Sequence, residues 1–424
     1  MNDIYTDLDW RGLVYQTTDE NLQNWLLEKP RVVYAGFDPT ADSLHVGSLM
    51  PLLMLRRFQN AGHRPIAVLG GATGMIGDPS GKSDERNLLT ETQLQANLDG
   101  IEKQIRSMLK TEGENAAIIV SNSDWMRGFS FIEFLRDVGK NFPVNMMMAK
   151  DSVKSRLEGE SGISYTEFSY MLLQAYDFVH LFREHGCELQ IGGSDQWGNI
   201  TAGIDLGRRM TSQQLYGLTN PLLTKSDGGK MGKTESGAVW LSADKTSPYK
   251  FYQYWINVAD EDAGKCLRFL TELDHDEIKS LDESRESEPH QRTSQKRLAE
   301  AMTKMLHGEA GLTAAKQATE IFFGAEINDL DDNALGQIFG DVPSHTESRS
   351  KLAGDGIPLI EAFVATGLAK SKGEGKRTLE QGGANVNNRK ITDIAYTLTE
   401  SDLASQSMIV LRSGKKKYAI LKFE

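Results

Sequence analysis

Val32, Val33 and Tyr34 form a short apolar run that ends in a glycine-bearing stretch over residues 36–43. From Leu44 onward apolar residues recur at helical spacing: Leu44, Leu49, Leu52, Leu53, Leu55 and Phe58. This predicts a strand, a turn and a helix with His45 in its first turn. A second apolar run, residues 65–69, follows one helix later, and a third spans residues 116–120. Strand–helix–strand order predicts an α/β fold with a parallel sheet. Residues 188–192 form a fourth predicted strand. Helical periodicity marks residues 1–30, 91–110, 165–180 and 248–307. Near the carboxyl end, a short helix at 357–368 and a basic helix lead to a strand at 384–386. A hairpin with lysines at its turn then begins at Met408.

The pattern breaks where chemistry is expected. Residues 70–82 carry five glycines directly after the second strand, with Asp78, Lys82 and Arg86 as the charged residues able to face a ligand. Open α/β sheets bind ligands at the carboxyl ends of their strands. The spacing before Lys82 and the intervening Pro79 exclude a Walker A loop. Tyr170, Gln174 and Asp177 stand at i, i+4 and i+7 on an otherwise apolar helix. Such a stripe either packs against another polar element or lines a pocket for a polar small molecule. The fourth strand ends in Gly192-Gly-Ser-Asp-Gln-Trp-Gly-Asn199, a glycine-then-acid arrangement suited to a ribose. Lys225, Lys230 and Lys233 lie among glycines in residues 222–234, which reads as a mobile surface loop or as a flexible cationic arm for polyphosphate. A helix start beside His45 suits phosphate as well. Three successive methionines, Met146 to Met148, suggest core packing or a subunit interface.

Composition narrows the class. At 424 residues, 39% hydrophobic and 25% charged, the chain is expected to form two or three globular domains. No apolar run is long enough to span a membrane. The acidic first ten residues resemble neither a secretory signal nor a transit peptide. Cys187 and Cys266, far apart and without a CxxC pattern, read as buried free thiols in a reducing compartment, which points to the cytoplasm and away from a metal site. The net charge of −12 argues against a protein coated in nucleic acid. Residues 351–424 nevertheless hold 12 Lys+Arg against 8 Asp+Glu, a basic end on an acidic body. That end is either a solubilising tail or a dedicated surface for one anionic partner.

Taken together, the motifs resemble bacterial-type tyrosyl-tRNA synthetase, a class I aminoacyl-tRNA synthetase, over nearly the whole chain. His45-Val-Gly-Ser48 stands where that class has HIGH, and Lys230-Met-Gly-Lys-Thr234 where it has KMSKS. Residues 34–40, 77–80 and 192–199 resemble the same family, and residues 351–424 resemble its S4-type RNA-binding domain. The resemblance implies a Rossmann-like catalytic domain over 1–224, with an inserted dimerisation segment at about 120–160. A signature loop and connector at 225–247 would follow, then an α-helical anticodon-side domain at 248–327. A linker at 328–350 would lead to an S4-like α+β domain at 351–424.

It also implies the reaction: L-tyrosine and ATP form tyrosyl-adenylate and pyrophosphate, and the tyrosyl group passes to tRNA(Tyr). His45, Lys82, Arg86, Lys230, Lys233 and Thr234 would stabilise the transferring phosphates. Tyr34 and Asp177 would bind the phenol, and Tyr170, Gln174 and Asp78, with Gln196 alongside, the ammonium group. Gly36, Asp38, Thr40, His45, Gly47, Ser48, Gly193, Asp195 and Lys233 would meet ATP. Magnesium would arrive only on ATP, with no protein-bound metal, and the protein would be a homodimer. Ser48 departs from the family pattern by replacing the second histidine of HIGH.

Overall fold

A computed structural model describes residues 3–80, 89–159, 162–234, 237–327, 330–340 and 342–424. The chain divides into two compact units, Met1–Lys245 with Val258–Leu298, and Thr246–Asn257 with Ala299–Glu424.

The first unit is built on a six-stranded sheet: β1 (Gln16–Thr17), β2 (Val32–Phe37), β3 (Arg64–Leu69), β4 (Ile118–Ser121), β5 (Cys187–Gly193) and β6 (Tyr216–Asn220). The order is β1-β6-β5-β2-β3-β4, parallel except for β1 against β6. Strands covered on both faces read as near-continuous apolar runs, and Val33, Tyr34, Ile66, Ala67 and Leu189 are all buried. The chain moves outward from β2 through β3 to β4, then returns to place β5 on the other side of β2. That reversal puts a crevice at the carboxyl ends of β2 and β5, where open α/β sheets bind ligands.

Several expectations shift. Gly36 belongs to β2 and not to the turn, and β4 starts two residues later and ends one residue later than the apolar run suggested. The helix after β2 starts at Leu49, so His45 precedes it and heads a single 3-10 turn, Val46–Ser48. Leu44 is buried outside the helix: its carbonyl accepts from Leu241 N–H at 2.9 Å, a long-range partner that local periodicity does not reveal. The Tyr165–His185 helix extends further than read, from the Ser164 N-cap to Gly186 at φ +63°. Serine accepts a free N–H at the start, and glycine takes the left-handed residue at the end.

The second unit holds a five-stranded sheet in the order Arg389–Ile391, Ala384–Val386, Met408–Ser413, Lys417–Phe423 and Ser344–Glu347. Helices Leu359–Ala365 and Lys372–Glu380 cover one face through Leu359, Phe363, Leu379, Leu411 and Leu421. Val410, Tyr418 and Ile420 pack against Ile321, Leu335 and Phe339.

This corrects two boundaries. The stretch 328–350 is not a bare linker: Asp332–Ile338 is helical, and Ser344–Glu347 pairs in parallel with Lys417–Phe423. Its Gly, Pro and Ser content suggested coil because the strand's hydrogen-bond partner lies some seventy residues away. The helical stretch 248–327 is also not one body, since Val258–Leu298 belongs to the first unit.

Candidate active site

The carboxyl ends of β2 and β5 open into a cleft of about 620 Å³. Tyr34, Gly36 and Asp38 reach it from β2 and the turn after it. Tyr170, Gln174 and Asp177 come from the Tyr165–His185 helix, and Gly193, Asp195 and Gln196 from the end of β5. Thr40, His45, Gly47, Asp78, Lys230 and Lys233 line it from the intervening loops. One cleft therefore collects residues from the His45 and Lys230 signature segments, the glycine-rich loop after β3, the Tyr170–Asp177 stripe and the end of β5. Ser48 and Thr234 do not line it: Ser48 precedes the Leu49–Asn60 helix, and the exposed Thr234 hydroxyl donates to the Gly237 carbonyl at 3.0 Å. Lys82 and Arg86 lie outside the described residues.

One part of the cleft is a buried polar floor. Asp177 is 3% exposed, and each of its oxygens accepts a hydrogen bond. Trp125 Nε1 donates to Oδ1 at 2.8 Å and Asn122 Nδ2 to Oδ2 at 3.0 Å. Burial pushes the Asp177 carboxyl up to about 7, with those two donors opposing and the Asp38 carboxylate adding to the rise. The neighbouring Tyr34 hydroxyl is buried and has no hydrogen-bond partner among the described residues. Burial first, and then the Asp177 charge, hold the Tyr34 phenol well above its ordinary value, so it stays a neutral O–H. A carboxylate beside an unpartnered hydroxyl suits a ligand group that both donates and accepts, as a phenol does.

Asn122 also donates to Thr73 Oγ1 at 3.0 Å, and Thr73 donates to Asp38 Oδ1 at 2.9 Å. The Tyr170 hydroxyl donates to Asp38 Oδ2 at 3.1 Å. Asp38, assigned to the nucleotide by resemblance, is thus wired to the floor. A second network surrounds Asp78: Gln196 Nε2 donates to Oδ2 at 2.8 Å and Ser80 N–H to Oδ1 at 2.9 Å. Asn199 donates to Gln196 Oε1 at 3.1 Å, and Gln174 Nε2 approaches the same oxygen at 3.4 Å. Asp78 and Asp38 bring negative charge suited to an ammonium group. Burial, and then the Asp78 charge, raise the Asp195 carboxyl.

The other part of the cleft carries cations and an imidazole. His45 Nδ1 accepts from Gly47 N–H at 3.0 Å, which leaves Nε2 as the protonated nitrogen of the neutral ring. A Cβ on Gly47 would stand 2.8 Å from His45 Cε1, so glycine is required to hold the ring this way. A Cβ on Gly193 would come within 2.6 Å of Asp195 Oδ1. Lys230 and Lys233 add positive charge from a hairpin whose Thr224 pairs with Lys230.

Sequence reasoning missed Asn122, Trp125, Thr73, Gln190, Asn199 and Asn220. Gln190 and Asn220 line the cleft with buried side-chain oxygens that lack partners among the described residues. Their signal was present: Gln190 is a lone amide inside a buried strand, Asn220 ends β6, and Asn122 follows β4, all near the ligand edge of the sheet. Among the described residues no group of three or more His, Cys, Asp or Glu is placed to hold a metal, and both cysteines are buried and free. No described helix is long and apolar enough to cross a membrane.

Residues 27–324 match the family described as tRNA synthetases class I (W and Y), and residues 334–421 the tyrosine–tRNA ligase SYY-like C-terminal domain. The second match begins inside the stretch read as a linker. The chain is 59% identical to the tyrosine–tRNA ligase of Rhodopirellula baltica over 100% of its own length and 97% of the relative's. Identity to that of Roseiflexus castenholzii is 51%, over 100% of both chains. A crystal structure of a C-terminally truncated mitochondrial tyrosyl-tRNA synthetase from Aspergillus nidulans superposes with a TM-score of 0.69 at 29% identity, covering 76% of this chain and 95% of that one. With its cleft, its two signature segments and these full-length relatives, the chain belongs to the tyrosine–tRNA ligase family of class I tRNA synthetases.

Proposed function

We propose that the chain activates L-tyrosine with ATP to tyrosyl-adenylate and pyrophosphate, and then transfers the tyrosyl group to the 3′ end of tRNA(Tyr). The observation that carries this reading is the Tyr34–Asp177 floor. Asp177 accepts from the substrate phenol and the Tyr34 hydroxyl donates to it. A phenylalanine ring would leave the Tyr34 hydroxyl buried and unpaired, at a cost of about 1–3 kcal/mol, and would bring the Asp177 carboxylate no donor beyond Trp125 and Asn122. Asp78, Tyr170 and Gln174, with Gln196 alongside, receive the ammonium group.

In the first step a tyrosine carboxylate oxygen bonds to the α-phosphorus as the bond to the β-phosphate bridging oxygen breaks. The electron pair leaves on pyrophosphate. Such a step needs alignment and charge stabilisation more than a base. His45 donates through Nε2, and Lys230 and Lys233 meet the charge growing on the leaving phosphates. Lys82, Arg86 and Thr234 are assigned to the same task by resemblance alone. Asp195, Gly193, Thr40 and Gly36 border the nucleotide, and magnesium enters on the phosphates of ATP. In the second step a terminal ribose hydroxyl of tRNA attacks the tyrosyl carbonyl and AMP leaves.

Residues 351–424 act as the RNA grip in this reading, supported by their net charge of +4 and by exposed Lys415, Lys416 and Lys417. A homodimer is supported by exposed Phe131 (65%), Ile132 (70%) and Val144 (60%) on the inserted segment, side chains that a partner would cover. The protein acts in the cytoplasm. Amino-acid-dependent ATP–pyrophosphate exchange tests the activity. Exchange with tyrosine and none with phenylalanine or tryptophan is expected, and exchange with tryptophan alone would overturn the reading.

A further inference from the structure

Lys230 and Lys233 are useful to a reacting phosphate only if their hairpin stands in the right place. We propose that Asp262, well away in sequence from both signature segments, is a positioning residue that fixes this hairpin for adenylate formation. The inference rests on the tyrosine-activation reading above.

The hairpin is held internally by Lys225 N–H to Gly229 O at 2.8 Å and Met231 N–H to Leu223 O at 3.2 Å. Its outgoing arm is tied to the His45 segment. Val239 N–H donates to Gly232 O at 2.8 Å, Val46 N–H to Val239 O at 3.0 Å, and Leu241 N–H to Leu44 O at 2.9 Å. Its incoming arm has a different anchor, the Asp260–Leu270 helix. Asp262, 5% exposed, accepts Ser226 N–H on Oδ1 at 2.8 Å and faces Ser226 Oγ through Oδ2 at 3.4 Å. One helical turn on, Lys265 Nζ donates to Thr224 O at 2.8 Å and approaches Thr224 Oγ1 at 3.3 Å. Two residues of one helix therefore clamp positions 224 and 226, just before the lysines.

The other end of that helix is fastened to the His45 side. Arg57, on the Leu49–Asn60 helix, donates to Phe269 O at 2.9 Å and Thr271 O at 2.7 Å, and Arg11 to Leu273 O at 2.8 Å. Guanidinium groups at a helix carboxyl end satisfy its last carbonyls and favour its dipole, as a carboxylate does in the first turn. The Asp260–Leu270 helix is thus a strut. It fixes the distance between the imidazole that precedes the Leu49–Asn60 helix and the lysines on the hairpin, two groups that must meet the same triphosphate. Asp262 is the point where the strut grips the hairpin, through a charge-assisted bond to backbone that a neutral side chain does not reproduce.

The test uses the full chain, Asp262→Ala and Asp262→Asn, in tyrosine-dependent ATP–pyrophosphate exchange. Misplacing the lysines is expected to lower kcat roughly 10- to 100-fold and raise KM for ATP. KM for tyrosine, bound on the far floor, is expected to stay within about twofold of the wild type, and Asp262→Asn to fall between wild type and Asp262→Ala. A double-mutant cycle separates positioning from general stability: in a Lys233→Ala background the Asp262→Ala penalty should shrink to less than about threefold. An undiminished penalty in that background, a parallel rise in the tyrosine KM, or wild-type kinetics in Asp262→Ala would each overturn the proposal. If Asp262→Ala does not fold, the isosteric Asp262→Asn and its cycle with Lys233→Ala decide. Wild-type exchange that persists unchanged in the variants defeats only the positioning role. No exchange by the wild-type chain with any amino acid defeats the activation reading and this proposal together.

Discussion

Trp125 donates its indole N–H to Asp177 at 2.8 Å, from a short helix after β4 to the middle of a long helix 52 residues later. With Asn122 it keeps both carboxylate oxygens engaged in a site that burial alone would strip of charge. Trp125→Phe keeps the ring and removes the donor. A hydrogen bond to a charged group contributes about 1.5–3 kcal/mol, so tyrosine KM should rise roughly 10- to 100-fold. Exchange kinetics check this, with KM for ATP as the internal control; an unchanged tyrosine KM would remove Trp125 from the site.

Asp177 also predicts a pH dependence. Its folded value of about 7 lies above the ordinary 3.8, so the fold favours the neutral acid. That contribution is complete below about pH 4 and is lost as pH rises through 7. The free protein should therefore lose stability across that window relative to Asp177→Asn, as thermal melts can measure. Tyrosine binding has the opposite sense, because the phenol needs an ionised acceptor. Tyrosine KM should rise about tenfold per pH unit below 7, and flatten in Asp177→Asn.

Tyr34→Phe separates stability from recognition. Its hydroxyl is buried without a partner among the described residues, so deleting it should leave the melting temperature of the free chain unchanged or raised. Tyrosine affinity should fall by about 1 kcal/mol and discrimination against phenylalanine by a similar factor. A large loss of stability with unaltered selectivity would contradict the assignment.

The basic end is best tested by charge reversal. Cutting at residue 351 would strand Ser344–Glu347 and uncover Ile321 and Phe339, confusing lost RNA contacts with lost core. Lys415→Glu with Lys416→Glu alters two exposed side chains of a hairpin turn. The kcat/KM for tRNA should fall roughly tenfold or more, with a shallower salt dependence, while pyrophosphate exchange holds. Equal charging by both proteins would locate the RNA grip elsewhere.

The local signals were in the chain. Apolar runs marked β2, β3 and β4, and glycines marked the carboxyl ends of β2, β3 and β5. The i, i+4, i+7 spacing put Tyr170, Gln174 and Asp177 on one face, and the two signature segments stated the family. These follow from backbone periodicity and side-chain chemistry, which depend on near neighbours. Tertiary structure alone brought Asn122 and Trp125 to Asp177, turned Leu44 out of the helix and onto Leu241, made a strand of Ser344–Glu347, and set Asp262 under Ser226. Each depends on a hydrogen-bond partner tens to hundreds of residues away, and a partner that remote leaves no periodicity in the sequence around it.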